Sequence, residues 1–287
     1  GGSDIAAVMG MSRWKTPLTL WLEKTGEVEP KDLSDNEAVQ LGKELEEFVA
    51  QQFSKKTGLK VRKRKEKYTL KKYPFMVAHV DRLIVGSDEL LECKTCGSFK
   101  KDEWKDDEIP TEYILQVVWY LGITGRKKGH IAVLIGGQSF KYKEINFDEE
   151  LFKIMVDMAI RFWDCVQTKT MPALTPNDND VMAQVYPKPE QEFIENQELE
   201  SKIEKLVSIK ADITSLDNEK KMLEAELKNI INTHAGILTE KYKLSWFKVS
   251  KSIVDTEKLR ADNLYEKYSN VSETRTLRVF ANKKKAA

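Results

Sequence analysis

The stretch Asp81-Arg82-Leu83-Ile84-Val85-Gly86-Ser87-Asp88-Glu89-Leu90-Leu91-Glu92-Cys93-Lys94 decides how this chain is read. Leu90 to Cys93 is a short apolar run broken by one acid. The two-residue period of a strand puts Glu92 and Lys94 on one face and Leu91 and Cys93 on the other. Gly86-Ser87-Asp88 is a turn signal, so a hairpin returns the chain and brings Asp81 beside Glu92. Two carboxylates and an amine then converge. Phosphodiester hydrolysis uses such a set: hard oxygen ligands for a divalent cation, and an ammonium to neutralise charge growing on the phosphate. The same string also fits a surface hairpin with a salt bridge. In a chain with 32% charged residues, D-x10-E-x-K often arises by chance.

Neighbouring segments narrow the choice. Asn36 to Lys56 reads as an amphipathic helix, with Ala38, Leu41, Leu45, Phe48, Val49 and Phe53 at three- and four-residue steps. Glu46 lies on the margin of that face, and Gly42 one turn earlier leaves room for its carboxylate to reach inward, toward a metal or its waters. A second helix runs from Ile109 to Gly122, with Gln116 as its one uncharged polar residue in the run Leu115 to Trp119. A Gln there needs a hydrogen-bond partner, such as Lys94 or an attacking water. Gly129 to Gly136 reads as a buried strand, Phe140 to Ile145 as a half-exposed one, and Asp148 to Thr168 as a third helix. The order predicts an α/β core with a mixed central sheet flanked by helices.

Charge adds a direction. The net charge is only +1, but Lys60 to Lys72 holds eight cations against Glu66 alone, directly before the hairpin. Such a block attracts a polyanion without regard to its sequence, although lysines also protect strand edges. Lys63, Arg64 and Lys72 are its expected DNA contacts.

With 287 residues, 41% of them hydrophobic, the chain can bury a full core with an appendage. No apolar stretch approaches the roughly 20 residues needed to cross a bilayer, and no signal peptide is visible, so the expected location is a cytoplasm. Cys93, Cys96 and Cys165 form no even-numbered disulfide framework. The single C-x-x-C pair would need two of His79, His130 and His234 to complete a zinc site, and three cysteines fall short of an iron–sulfur ligand set.

Composition changes after Pro172. The expected organisation is a core over 1–176, a Pro- and Asn-rich linker over 177–191, a coiled-coil or helical-hairpin segment over 192–233, and a small α/β element with a basic tail over 234–287. Leu199, Leu206, Ile209, Ile213, Leu216, Leu223, Leu227 and Ile230 form a heptad seam, with Lys202 and Lys220 at its two remaining positions. Lys243 to Val249 and Arg275 to Phe280 read as two strands.

Gly42-Lys43-Glu44-Leu45-Glu46, Asp81, Glu92-Cys93-Lys94 and Tyr113-Ile114-Leu115-Gln116-Val117 resemble the motifs of the YqaJ-like viral recombinases, relatives of phage lambda exonuclease within the PD-(D/E)xK nucleases. Gly1-Gly2-Ser3-Asp4 and Pro17-Leu18-Thr19-Leu20-Trp21 are similar to that family's N-terminal signature, and the resemblance runs from Gly1 to about Pro176. It implies metal-dependent 5′ to 3′ digestion of one strand of linear double-stranded DNA. A 3′ single-stranded overhang is left for a single-strand annealing protein. By position, Asp81, Glu92 and the Cys93 main-chain carbonyl would bind Mg²⁺, with Glu46 acting on a second ion or its water and Mn²⁺ able to substitute. Lys94 would polarise the nucleophile and Gln116 would orient it. Ser3 matches a residue of the pocket for the terminal 5′-phosphate, Arg13 a DNA-wedging arginine, and Tyr113 a further DNA contact. Relatives carry an arginine of the phosphate pocket just before the Gly-Gly-Ser stretch, so a chain starting at Gly1 implies an incomplete pocket. A phage or prophage origin, a bacterial cytoplasm and a homo-oligomer, possibly a trimeric ring, follow from the same resemblance. Two other readings compete: a restriction-type endonuclease on the same core, and a nuclease-dead adaptor that recruits an annealing protein.

Overall fold

The computed structural model describes residues 1–64, 66–106, 108–186, 188, 190, 192–271 and 275–280. Two short helices, α1 (Gly2–Val8) and α2 (Pro17–Thr25), precede the long α3 (Glu37–Thr57). Asn36 accepts from the Val39 N–H at 3.2 Å to start α3, and Gly58, at φ 75°, ends it in the left-handed region that glycine adopts without strain. Next come β1 (Val61–Lys63), β2 (Lys67–Thr69), β3 (Val77–His79), β4 (Arg82–Ile84), β5 (Glu89–Cys96), α4 (Thr111–Thr124), β6 (Lys128–Ile135), β7 (Ser139–Asn146) and α5 (Glu149–Thr168).

The central sheet has the order β1-β4-β5-β6-β7, and β2 pairs with β3 in a separate ribbon. Only β5 and β6 run parallel, and α4 makes the crossover that a parallel pair requires. The basic block is therefore divided: β1 edges the central sheet, and β2 lies in the ribbon that packs on α4. The mixed α/β core expected from the sequence is present, its sheet covered on both faces. One apolar cluster gathers α1, α2, α4 and α5 with Leu90, Ile131 and Val133. The other holds Val49, Ala50 and Phe53 of α3 against Leu91, Cys93, Ala132 and Leu134.

Two helix expectations shift. Leu41 and Phe48 are 47% and 43% exposed, so the buried stripe of α3 narrows to Leu45, Val49, Ala50 and Phe53. Helix α4 does not close near Gly122 but continues to Thr124, capped by Gly125 at φ 72°. Gly122 serves packing instead: a Cβ there would lie 2.2–2.4 Å from the Phe152 ring.

The core also extends beyond the expected boundary at Pro176. A 3₁₀ turn across that boundary (Pro176–Asp178), and α6 (Met182–Val185) within the span expected as linker, belong to the first of two compact units, Gly1–Val185. Buried Asp178 caps this turn, accepting from the Thr175 N–H at 2.6 Å, and Val181, Met182 and Val185 pack on the core. The second unit, Tyr186–Ala287, contains one continuous 32-residue helix, α7 (Glu200–Ile231), not a helical hairpin. Then come β8 (Gly236–Leu238), β9 (Lys243–Ser245), α8 (Thr256–Ala261) and α9 (Tyr265–Tyr268). The partner of β9 is β8; Arg275 to Phe280 is not a strand. Gly236, at φ 157°, sits where a Cβ would meet the Leu244 carbonyl at 2.0 Å, so this pairing requires a residue without a side chain there. The Lys283-Lys284-Lys285 tail lies outside the described residues. Among those described, no helix is long and apolar enough to cross a membrane.

Candidate active site

The β4–β5 hairpin forms as its turn residues require, with Gly86 at φ 85° and Arg82 opposite Leu91 in the register. Asp81, one residue before β4, therefore reaches the level of Glu92 and Cys93. Its Oδ2 accepts from the Cys93 N–H at 2.8 Å. Strand alternation holds as read: Leu91 and Cys93 face α3, whereas Glu92 and Lys94 face α4.

Glu92 is 2% exposed. Its Oε1 accepts from Lys94 Nζ and from Gln116 Nε2, each at 2.7 Å. Lys94 Nζ also donates to Gln116 Oε1 at 3.0 Å, and Gln116 Nε2 donates to the Tyr120 hydroxyl at 2.8 Å. The amide is thus fixed in orientation by a carboxylate, an ammonium and a phenol. Tyr120 can stand there because Gly2 has no side chain; a Cβ at that position would lie 2.2 Å from the ring. This is a physical reason for glycine in the N-terminal signature. Lys94 Nζ lies 5.1 Å from the centroid of the Tyr113 ring, itself stacked on Trp104 at 5.7 Å.

Electrostatics follow from the crowding of acids. Burial, reinforced by the charge of Glu92, pushes Asp81 up to about 8, against the pull of the Cys93 N–H. Burial also disfavours the Lys94 charge, but the Glu92 carboxylate outweighs it and holds the ammonium above its ordinary range. The Cys93 thiol is pushed upward by burial and then by Asp81 and Glu92, so it is a packed, protonated side chain rather than a soft ligand.

Glu92 Oε2 is buried and has no hydrogen-bond partner. An orphaned carboxylate oxygen beside a second carboxylate fits a divalent cation, which would satisfy both and relieve their repulsion. Among the described residues, no group of three or more His, Cys, Asp and Glu is arranged to hold a metal by itself. That donor set suits Mg²⁺, which takes one or two carboxylates and keeps several waters.

Glu46 lines a cleft of about 290 Å³ together with Lys63, Arg64, His79 and Asp81. Its carboxylate is bound by Arg82 Nη1 and by Lys63 Nζ at 3.1 Å, and so stays ionised despite partial burial. Arg82 lies outside the set of residues that the motif points to. It is 1% exposed, and it also contacts Glu47 at 2.9 Å and the Asp81 carbonyl at 2.7 Å. The signal was available: a charged residue between Val80 and Leu83 in a buried strand must find acids.

The other expected DNA contacts are dispersed. Arg64 pairs with Glu66 beside the cleft. Arg13 is held by Glu103 and Glu112, both at about 2.9 Å or less. It is anchored at the N-terminus of α4 rather than projecting as a free wedge. Ser3 is exposed on α1. Lys72 is not brought to the site: it rests over Tyr73, 5.1 Å from the ring centroid, and lines a different groove.

The sequence profile of the YqaJ-like viral recombinase domain matches residues 1–127. The crystal structure of an alkaline exonuclease from Laribacter hongkongensis overlays with a TM-score of 0.50 at 19% identity, covering 59% of this chain and 88% of that one. Profile and overlay agree on the α/β core that carries the carboxylate–lysine site. The protein YqaJ of Bacillus subtilis (strain 168), itself described as uncharacterized, is 37% identical over 290 residues, 98% of this chain and 89% of the relative. The chain belongs to the YqaJ family.

Proposed function

We propose that this core digests one strand of linear double-stranded DNA in the 5′ to 3′ direction with Mg²⁺, leaving a 3′ overhang for a single-strand annealing protein. The observation that carries the reading is the unpartnered, buried Glu92 Oε2 beside Asp81, with Lys94 locked between Glu92 and Gln116. Asp81, Glu92 and the Cys93 carbonyl would hold the cation, with Glu46 toward a second ion or its water. Bound Mg²⁺ supplies a Lewis acid for the phosphoryl oxygens and a more acidic water. Lys94, kept charged by Glu92, places an ammonium where negative charge grows on the phosphate. Gln116 fixes the direction of that ammonium, and Tyr120 fixes Gln116. Lys63 and Arg64 offer cations to the DNA backbone at the mouth of the cleft.

The exposed heptad seam of α7 supports a homo-oligomer, as such a seam buries its apolar residues against another helix.

The deciding experiment presents linear duplex with 5′-phosphate or 5′-hydroxyl ends, labelled on either strand end, with and without Mg²⁺. Progressive release from the 5′-phosphate end in Mg²⁺ is expected. Release from 3′ ends, or linearisation of covalently closed plasmid, would reject the reading.

A further inference from the structure

A second groove of the first unit shares no lining residue with the cleft at Asp81. It occupies about 730 Å³ between the β2–β3 loop, the end of α4 and the start of α5. Its floor is apolar: Leu70, Leu121, Phe147, Phe152 and Val156. Gly122 shapes that floor, since any side chain there would displace the Phe152 ring.

The rim is cationic. Lys71, Lys72, Arg126, Lys127 and Lys153 line it, against Glu149 and Asp157. Lys153 is neutralised by Glu149 at 2.9 Å, and Arg126 faces exposed Asp88 at 3.3 Å. Lys71 and Lys72 enter no ion pair among the described residues. A surplus of positive charge around an apolar floor fits a ligand that is anionic at its edges and apolar at one point.

The rings separate a stacked single strand from a peptide. Nucleic acid bases would need free aromatic faces on which to stack. Here Lys127 lies 4.8 Å from the centroid of Phe147, and Lys72 lies 5.1 Å from that of Tyr73. Phe152 is tilted between Phe147 at 5.6 Å and Trp119 at 6.0 Å. An ammonium already lies over Phe147 and over Tyr73, and Phe152 is packed among other rings, while Leu70, Leu121 and Val156 add aliphatic carbons to the floor. We propose that this groove docks a partner protein through a short acidic peptide segment carrying one aromatic anchor, the acids meeting the lysines and the anchor settling against Phe152 and Val156.

Fluorescence anisotropy on the full chain tests this with a labelled peptide of Asp and Glu residues around one Phe. Controls are the same peptide with Phe→Ala and a labelled oligothymidylate. Saturable, salt-sensitive binding is expected, weakened about tenfold by Phe→Ala in the peptide and by Lys127→Glu/Lys153→Glu in the protein. Strand digestion by that double variant should be unchanged. Three results would overturn the proposal: no saturable peptide binding, equal binding of the Phe→Ala peptide, or oligothymidylate binding that the double variant abolishes while the peptide fails to bind. The Phe→Ala comparison uses the native chain and does not depend on how the variant folds.

Discussion

Strand β5 and helix α7 both carry regular apolar residues, yet β5 is covered on both faces while the seam of α7 lies open. Leu90 and Leu91 are fully buried on opposite faces of β5, whereas Ile213, Leu216 and Leu223 of α7 are 60%, 63% and 53% exposed. The difference teaches what a buried strand gives to chemistry. Between two layers, Glu92 and Lys94 lose water and must find one another and Gln116, so the site is fixed before any ligand arrives. Along α7, the charged side chains keep their water and pair only locally, as Lys221 does with Asp217 at 2.5 Å. Such a helix orders no site, but its seam is free for another surface.

The largest test of the contrast is Lys94→Ala. It should slow strand digestion by about 10²–10³-fold with a cooperative fold retained, as for loss of a preorganised charge at a transition state; digestion within threefold of the native rate would refute the role given to Lys94. Leu91→Ala should cost about 2–5 kcal/mol in denaturant unfolding, because the α3 layer cannot close the cavity. A third test uses pH in chelator. Asp81 has a folded pKa of about 8 against an ordinary value of 3.8, so the native state binds the extra proton between them. Stability of the metal-free core should therefore fall as pH rises from about 4 to about 8, since the unfolded state ionises first. Asp81→Asn should flatten that slope, and an unchanged slope would assign it elsewhere.

Gly2→Ala should push the Tyr120 ring away from Gln116. The expected cost is about 1–3 kcal/mol of stability, with a fall in kcat greater than any change in KM. The smallest effect belongs to the open region. Leu216→Ala with Leu223→Ala should change the stability of the core by no more than about 0.5 kcal/mol. If these substitutions lower the oligomeric state seen by analytical ultracentrifugation, the seam is an interface; if they unfold the core, α7 is part of its packing after all.

Much of the site was legible because its grammar is local. The turn at Gly86, the period-two alternation through Glu92 and Lys94, and an unaccompanied Gln116 in an apolar helix each carry their meaning within a few residues. Arg82 was legible in principle, since an arginine inside a buried strand demands acids, but which acids depends on α3 lying across β4. Lys72 shows the opposite failure. Charge density along the chain grouped it with Lys63, although the β2–β3 ribbon carries it to another groove. Likewise Arg275 to Phe280 has the apolar alternation of a strand but is not one, while β9 pairs with the nearby β8, since short hairpins close more readily than distant pairings.

By itself the sequence determined the elements and the donor chemistry: periodicity, caps and turn residues act through nearest neighbours. Tertiary structure alone decided which donors meet and which oxygen is left without a partner. It also decided that Tyr120 stands behind Gln116 only because Gly2 leaves it room. Burial and orientation are properties of packed layers, and the energy of a charged group is set by what surrounds it in space rather than by what precedes it in the chain.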